Sequence, residues 1–365
     1  MRTDTMNHDI YFMKKAIALA RRAEGATSPN PLVGAVIAKN NKIIGHGYHH
    51  KAGLSHAEVD ALKNVRGSAA GATLYVNLEP CCHFGKTGPC VDEIIRAKIK
   101  RVVIGVMDPN PRVHGRSIAK LKAAGIAVQV GVLKEQAAQA NEVFFTNMRK
   151  CRPFVVAKIA QSLDGKSATR EHKSHWITST QSRNYAKCLR DRYDAVLVGV
   201  ATVIADNPTL NGIKKIPYKI IFDPILRIPR DAHLVRQVPE RLIIVTAREN
   251  KKNINSLPGG ITILFARTTH GSFDLSGVLS SLYAEGITSI FAEGGAETLG
   301  RLFDARLIDK IYCFIAPKII AGRLARTSIA GRGVASPGEA TVINDVRVEH
   351  RGEDLLISGY PCYKT

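Results

Sequence analysis

The sequence predicts an α/β protein built as two domains, residues 1–150 and 151–365. Three observations carry this. The chain has 365 residues, more than one hydrophobic core ordinarily organises. Short apolar runs of strand length alternate with helix-period segments in both halves, the rhythm of helices laid over a sheet. An Ala-rich helical segment from Lys134 to Lys150 ends at Cys151-Arg152-Pro153, where proline restarts the chain. No internal repeat relates the two halves.

In the first half, Ile10, Met13, Ile17, Leu19 and Ala20 fall at helical spacing within 8–22, and the pattern stops near Gly25. Thr27-Ser28-Pro29-Asn30-Pro31 is a loop by its turn residues. Val33 to Ala38 reads as a strand, Lys39-Asn40-Asn41 as a turn, and Lys42 to Tyr48 as a second strand. Ser55 caps a helix over 57–62, with His56 and Glu58 in its first turn. Thr73 to Leu78 is a strand running into Glu79-Pro80-Cys81, and 91–98 is a helix with Cys90 at its start. In the second half, 154–160, 195–200, 242–246, 261–265 and 287–292 are strands. The last ends in Glu293-Gly294-Gly295, after which Ala296 to Ala305 is helical. Gln161 to Lys166 is a loop around an Asp-Gly turn.

Composition narrows the class. Hydrophobic residues make up 45% and charged residues 23%, the balance of a globular protein. No apolar run has the length of a membrane span. Met1-Arg2-Thr3-Asp4-Thr5 lacks the apolar stretch of a secretion signal. The 7 cysteines are then expected to be reduced in a cytoplasmic protein. The net charge of +21 raises a nucleic-acid partner as a possibility. Against it, the basic residues are scattered, and 6% aromatics with a single Trp is thin for base stacking. A phosphorylated small substrate and a phosphate-rich cofactor account for part of the excess.

The chemistry concentrates in His56-Ala57-Glu58, Pro80-Cys81 and Cys90. One imidazole and two thiolates supply three positions of a tetrahedral zinc and leave the fourth for water. Glu58, two residues past the histidine, handles protons without being a ligand. H-x-E followed by P-C and a second cysteine is the pattern of zinc-dependent deaminases. The partner of Cys81 must be chosen. Adjacent Cys82 would reach the same ion only under strain, so Cys90, at a helix start that favours thiolate, is the expected ligand. His83 is the alternative fourth ligand that would make the zinc structural. In the second half, strand, Gly-Gly turn and helix at Glu293-Gly294-Gly295-Ala296 has the form that presents backbone N–H groups to phosphate. The G-x-G-x-x-G fingerprint is absent.

These motifs together resemble the bifunctional deaminase–reductase family of riboflavin biosynthesis. They are Asn30-Pro31-Leu32-Val33-Gly34, His56-Ala57-Glu58, Glu79 to Cys90, Asp108-Pro109-Asn110-Pro111, Ser162-Leu163-Asp164-Gly165, Trp176-Ile177-Thr178, Gly199 to Pro208 and Glu293-Gly294-Gly295. The long Cys81–Cys90 loop separates this family from tRNA and cytidine deaminases. The resemblance, from about His8 to near Leu356, implies a cytidine-deaminase-like three-layer α/β domain followed by a dihydrofolate-reductase-like α/β domain.

It implies one zinc on His56, Cys81 and Cys90, with Glu58 as proton shuttle. Asn30, His49, Lys86, Asp108 and Asn110 would hold the diaminopyrimidinone ribosylamine phosphate. Gln161, Trp176, Thr202, Asp206 and the run Gly295, Ala296, Glu297, Thr298, Leu299, Gly300, Arg301 would contact NADPH. Lys158, Ser174, Arg190, Leu210 and Glu293 would lie on the substrate side, with Asp206 and Lys158 orienting the sugar and handling its proton. A homo-oligomer, dimer or tetramer, formed through the reductase half is implied as well. The chain departs from the family at three places. Cys82 stands where relatives carry Ser, and the stretch 211–215 lacks an Arg after Leu210, which moves the expected phosphate contact to Lys214 or Lys215. Asp223-Pro224 stands where a Ser often meets the cofactor. The competing reading is a nucleic-acid base deaminase with a C-terminal binding domain. Others are a chain with one working half and a zinc-binding interaction module.

Overall fold

Strands that are apolar at every position must be covered on both faces, and the central strands here are. The computed structural model describes residues 2–84, 88–269 and 272–363. The chain divides into two compact units, Met1–Cys151 and Arg152–Thr365.

The first unit contains β1 (Gly34–Lys39), β2 (Lys42–Tyr48), β3 (Thr73–Leu78), β4 (Arg101–Val106) and β5 (Ala127–Val130), with α1 (Arg2–Ala20), α2 (Ala57–Lys63), α3 (Cys90–Arg96), α4 (Arg116–Ala123), α5 (Lys134–Ala140) and α6 (Glu142–Lys150). The sheet order is β2-β1-β3-β4-β5. β1 is antiparallel to β2 and β3, and β3, β4 and β5 are parallel. Period-two alternation sends Val36, Tyr75 and Val103 to a core with Phe12, Met13 and Phe145, and Ala35, Ile37, Leu74 and Val76 to a second core with Ala57, Val91, Ile94 and Leu121. Three layers follow, as the resemblance implied.

α2 rests on bare backbone. A Cβ at Gly47 would stand 2.4 Å from the Ala61 nitrogen, and one at Gly45 2.7 Å from the Ala61 carbonyl oxygen. Two local expectations are corrected. His56, not Ser55, occupies the N-cap of α2, in extended backbone and with no side-chain cap bond. The expected single helix over 134–150 is two helices broken at Asn141. Its side chain accepts from the Leu32 amide at 2.7 Å and donates to the Leu32 carbonyl at 2.9 Å, a tertiary demand that outweighs helix propensity.

The second unit contains β6 (Phe154–Ser162), β7 (Ala195–Gly199), β8 (Tyr218–Phe222), β9 (Leu242–Ala247), β10 (Thr262–Ala266), β11 (Thr268–Thr269), β12 (Ser272–Phe273), β13 (Ser289–Ala292), β14 (Lys310–Ala316), β15 (Val342–Arg351) and β16 (Asp354–Cys362). Its helices are α7 (Thr180–Arg190), α8 (Val200–Asp206), α9 (His233–Gln237), α10 (Leu275–Ala284) and α11 (Ala296–Asp304). Nine strands form one sheet in the order β10-β9-β8-β7-β13-β6-β14-β16-β15. It is parallel from β10 to β14 and antiparallel across β14-β16-β15. One core lies on each face, the larger around Val155, Leu197, Ile220, Ile243 and Ile290, the other around Val196, Val198, Ile221 and Ile244. β6, the first strand in sequence, is central, so strand order reverses beside it. In such sheets ligands bind beyond the carboxyl ends of the strands at that reversal. Gln161 and Ser162 are the last two residues of β6 rather than the opening of a loop.

Candidate active sites

In the first unit the carboxyl end of β3 and the N-termini of α2 and α3 meet. His56 Nδ1 lies 3.2 Å from Cys90 Sγ and 3.4 Å from Cys81 Sγ, and all three donor atoms fall within 4.8 Å of one another. The Cys90 amide donates to Cys81 Sγ at 3.3 Å. Cys81 is the thiol held down as thiolate, through the Cys90 thiol first and His56 second, whereas the same contact and burial push Cys90 up. The hydrogen bond to Cys81 raises the His56 imidazole. This donor set and spacing fit a tetrahedral zinc with one position outside the protein. Among the described residues, His83 borders the adjoining cavity but is not in the donor cluster. Cys82 turns away, toward the Arg112 carbonyl at 3.7 Å.

The His56–Cys81–Cys90 cluster opens into a cavity of about 350 Å³ whose lining includes Asn30, His49, His56, Glu58, Asp108 and Asn110. Glu58 is 3% exposed, and burial first, then the Cys81 charge, pushes its carboxyl up to about 7. His49 Nδ1 donates to the Ser55 carbonyl at 3.1 Å, so Nε2 accepts from the Asn30 amide at 3.1 Å. Burial lowers its pKa and keeps the ring neutral. Burial, with Glu79 nearby, lifts Asp108 to about 6. Lys86 lies outside the described residues.

Sequence reasoning missed Glu79. It is buried, and its carboxylate accepts from the amides of Asp108 at 3.3 Å and Gly115 at 3.2 Å and from the Ser117 hydroxyl at 2.5 Å. It therefore ties the Cys81 strand end to the Asp108 loop. Its place just before Pro80-Cys81 was the only signal.

In the second unit, Arg190 on α7 forks onto Glu293, with Nε on Oε1 and Nη2 at 3.0 Å from Oε2. Lys158 Nζ on β6 is 3.9 Å from the same carboxylate. Burial lowers the Lys158 pKa, and Glu293 opposes that shift. Arg190 also donates to the Asn211 carbonyl at 2.9 Å. Asp206, the last residue of α8, pairs at 3.2 Å with His175, a residue absent from the sequence expectations. The His175 ring sits edge-on to Trp176, and Arg183 stacks on Trp176 at 4.4 Å.

Gly294 and Gly295 turn the chain with φ of 124° and 73°, into the start of α11 at the carboxyl end of β13. A Cβ on Gly295 would come within 3.3 Å of Thr298 Oγ1 and 3.9 Å of Thr202 Oγ1, so the glycine keeps a pocket open between two hydroxyls. That glycine cradle at a helix N-terminus fits a phosphate-bearing cofactor. Ala296 and Glu297 share this first turn, with Arg301 exposed one turn on. Leu299 and Gly300 face inward, with Leu299 in the core, and Leu210 is likewise buried in a core. These three offer a ligand only backbone. Gln161 Oε1 accepts from Ser328 at 2.6 Å, and Ser174 is half-buried in the segment leading to Trp176. The stretch 213–215 gives its amides to Asp191. Lys215 Nζ is engaged with Tyr193 O at 3.1 Å and Asp194 at 3.8 Å, which leaves Lys214 the more exposed of the two lysines. Asp223 is fully buried, one carboxylate oxygen accepting from Ile228 at 2.8 Å.

A zinc-dependent deaminase followed by an α/β reductase is the class these two units define. Residues 6–106 match the cytidine and deoxycytidylate deaminase zinc-binding region, and residues 153–357 match the RibD C-terminal domain. The riboflavin biosynthesis protein RibD of Aquifex aeolicus is 45% identical over 353 residues, covering 96% of this chain and 97% of that protein. RibD of Escherichia coli is 36% identical, covering 96% and 98%. The crystal structure of the diaminohydroxyphosphoribosylaminopyrimidine deaminase/5-amino-6-(5-phosphoribosylamino)uracil reductase of Thermotoga maritima superposes with a TM-score of 0.87 at 34% identity, covering 98% of this chain and all of that one. The chain belongs to the RibD family, the bifunctional deaminase–reductases of riboflavin biosynthesis, and its groups are zinc and NADPH. Among the described residues no helix is long and apolar enough to cross a membrane.

Proposed function

We propose that the two sites act in sequence on one phosphorylated small molecule. The first deaminates 2,5-diamino-6-(5-phosphoribosylamino)pyrimidin-4(3H)-one, and the second reduces the ribosyl chain of the product to ribityl. The single observation that carries the first step is buried Glu58 beside the His56–Cys81–Cys90 cluster, with its carboxyl pushed up to about 7. A carboxyl tuned to neutrality both takes and gives a proton.

Zinc supplies acidified water at neutral pH, and NADPH supplies hydride. The chain's own residues do the rest. Glu58 takes a proton from the attacking water and passes it to the ring nitrogen, then takes the second proton from the hydroxyl left on the ring carbon and gives it to the departing amine. Water's oxygen adds to the ring carbon first; the exocyclic C–N bond then breaks as that C–OH becomes the carbonyl, and ammonia leaves. Neutral His49, anchored on Ser55, accepts from the Asn30 amide and so holds that side chain in place for the substrate. Asp108 and Asn110 grip its polar groups, joined by Lys86. In the second site the hydride that bound NADPH would supply reduces C1′ of the opened, imine-like sugar only if the nitrogen also gains a proton, and that proton is the protein's task. Glu293 holds Arg190 and Lys158 toward the substrate, with Ser174 and the Leu210 backbone beside them. Asp206 orients the sugar and, with Lys158, manages that proton. Gln161, Trp176, Thr202 and the turn Gly295 to Arg301 hold the cofactor. Lys214 takes the phosphate contact.

The same reading makes the protein a cytoplasmic homo-oligomer that does not depend on nucleic acid, its positive charge serving phosphorylated ligands. The test is paired. Purified protein with measured zinc receives the diaminopyrimidine substrate and NADPH, and ammonia and NADPH absorbance are followed together. NADPH loss that depends on ammonia release supports both sites and their order. Zinc-loaded protein that releases no ammonia overturns the substrate assignment.

A further inference from the structure

His175 stands in sequence between Ser174 and Trp176, the first read above as a substrate-side residue and the second as a cofactor contact. Its Nε2 lies 3.2 Å from Asp206 Oδ1. A carboxylate oxygen accepts, so Nε2 carries the hydrogen and donates. Among the described residues the Asp206 side chain takes no other hydrogen bond or ion pair, which leaves Oδ2 for the sugar.

Both ends of this pair are held. Asp206 and Thr202 lie four residues apart on α8 and share a face, and Thr202 is one of the two hydroxyls beside Gly295. Asp206 therefore lies one turn beyond the glycine cradle. On the other side, the His175 ring meets the Trp176 ring edge-on at 4.4 Å, and Arg183 of α7 lies over the Trp176 ring at 4.4 Å. Arg183 also donates to the Thr178 carbonyl at 2.6 Å, and Lys318 donates to the Ile177 carbonyl at 2.9 Å. The segment 175–178 is thus anchored to its own surroundings. Among the described residues its one side-chain bond to α8 is His175.

Folding gains little from the pair. The two side chains are 53% and 32% exposed, and exposed pairs contribute little to stability. Asp206 also ends α8, where the helix carbonyls gather negative charge and work against a carboxylate held still. What the imidazole contributes is direction. Resting on the reading that Asp206 orients the sugar, we propose that His175 is a positioning residue of the reductase. Its N–H fixes the Asp206 carboxylate relative to Trp176, so that the sugar contact and the cofactor contact keep one spacing. Ligands bound over the pair exclude water, and the hydrogen bond gains a strength that it lacks in the open site. Hydride donor and C1′ must meet within narrow limits of distance and angle, and errors there cost rate.

The experiment is steady-state reduction by the full-length zinc-loaded protein, supplied with NADPH and the deaminated intermediate. H175F keeps an aromatic edge against Trp176 and removes the donor. H175Q keeps an N–H donor in place of Nε2 and removes the ring. H175F is expected to lower kcat for reduction by about tenfold, the loss of one charge-assisted hydrogen bond, with the KM for NADPH and the release of ammonia from the first substrate little changed. H175Q is expected to recover most of that rate. A histidine that only packs Trp176 gives the reverse, an impaired H175Q and an H175F with normal kcat, and overturns the proposal. In a D206A background H175F should add no further loss; losses that multiply also overturn it. The melting-temperature rise that NADPH produces reports a folded second unit in each variant, and should H175F lack it, H175L carries the same test. D206A protein that reduces at the normal rate overturns the reading of Asp206 and this inference with it. Slow D206A beside H175F at the wild-type rate overturns the inference alone.

Discussion

Replacing Glu79 separates its positioning role from a purely structural one. Glu79→Ala leaves two amides and the fully buried Ser117 hydroxyl without an acceptor. An orphaned buried donor costs about 1–3 kcal/mol, so the variant loses on the order of 5 kcal/mol, a large part of a domain's stability. Glu79→Gln behaves differently. Its carbonyl oxygen still serves both amides, and its NH₂ faces Ser117 Oγ, which rotates to accept. Only the charge assistance is lost, about 1–2 kcal/mol. The bonds given up are those that hold the Asp108–Asn110 loop against the cavity, and 1.4 kcal/mol is tenfold in an equilibrium constant. E79Q is therefore expected to raise the deaminase KM by roughly tenfold with kcat little changed and zinc content intact. Ammonia release measured against substrate concentration, with zinc quantified in parallel, decides it. A wild-type KM in E79Q refutes the reasoning, as does a fall in kcat alone.

Other perturbations test other parts. Glu58→Gln should abolish ammonia release while zinc stays bound; loss of zinc instead would make Glu58 a ligand. Cys90→Ser should lower zinc occupancy and deamination together, whereas the melting-temperature rise that NADPH produces should persist, since a ligand that binds the folded state stabilises it. Lys219 is fully buried, and burial, then Arg190 and Arg241, pulls its ammonium down to about 8. The unfolded chain binds that proton up to its ordinary 10.5, so this group's destabilisation is full below about 8 and is relieved as pH rises to 10.5. That relief is on the order of 3 kcal/mol. Hydrogen exchange of the β7–β8–β9 amides should show it in wild type, and Lys219→Met should lack it. Asp206→Asn should slow reduction without changing ammonia release, and a normal reduction rate would remove Asp206 from the mechanism.

The His56–Cys81–Cys90 cluster was legible because each residue sits at an element boundary marked by sequence: His56 before a short helix, Cys81 after an apolar strand and proline, Cys90 after another proline. Central strands were legible as apolar runs for the same reason that they are buried. What escaped is what depends on distant partners. Asn141 breaks a helix for the sake of Leu32, 109 residues away in sequence. Glu79 read only as the residue that leads a strand into Pro80-Cys81, and its partners Ser117 and Gly115 lie far along the chain. His175 met Asp206 through a pairing that no local pattern announces. Leu210 and Leu299 were picked as ligand contacts by motif position, yet their side chains serve the core.

Gly45 and Gly47 touch no ligand and carry no chemistry, yet they set where α2 lies. Because the helix is seated by backbone against backbone, no side-chain rotamer can absorb an error there. Any added carbon is transmitted to the helix as a whole, and with it to His56 and Glu58. In a saturation-mutagenesis map scored by growth without a flavin supply, these two positions would be as intolerant as the zinc ligands. A reader of that map alone would place the active site one strand too far away.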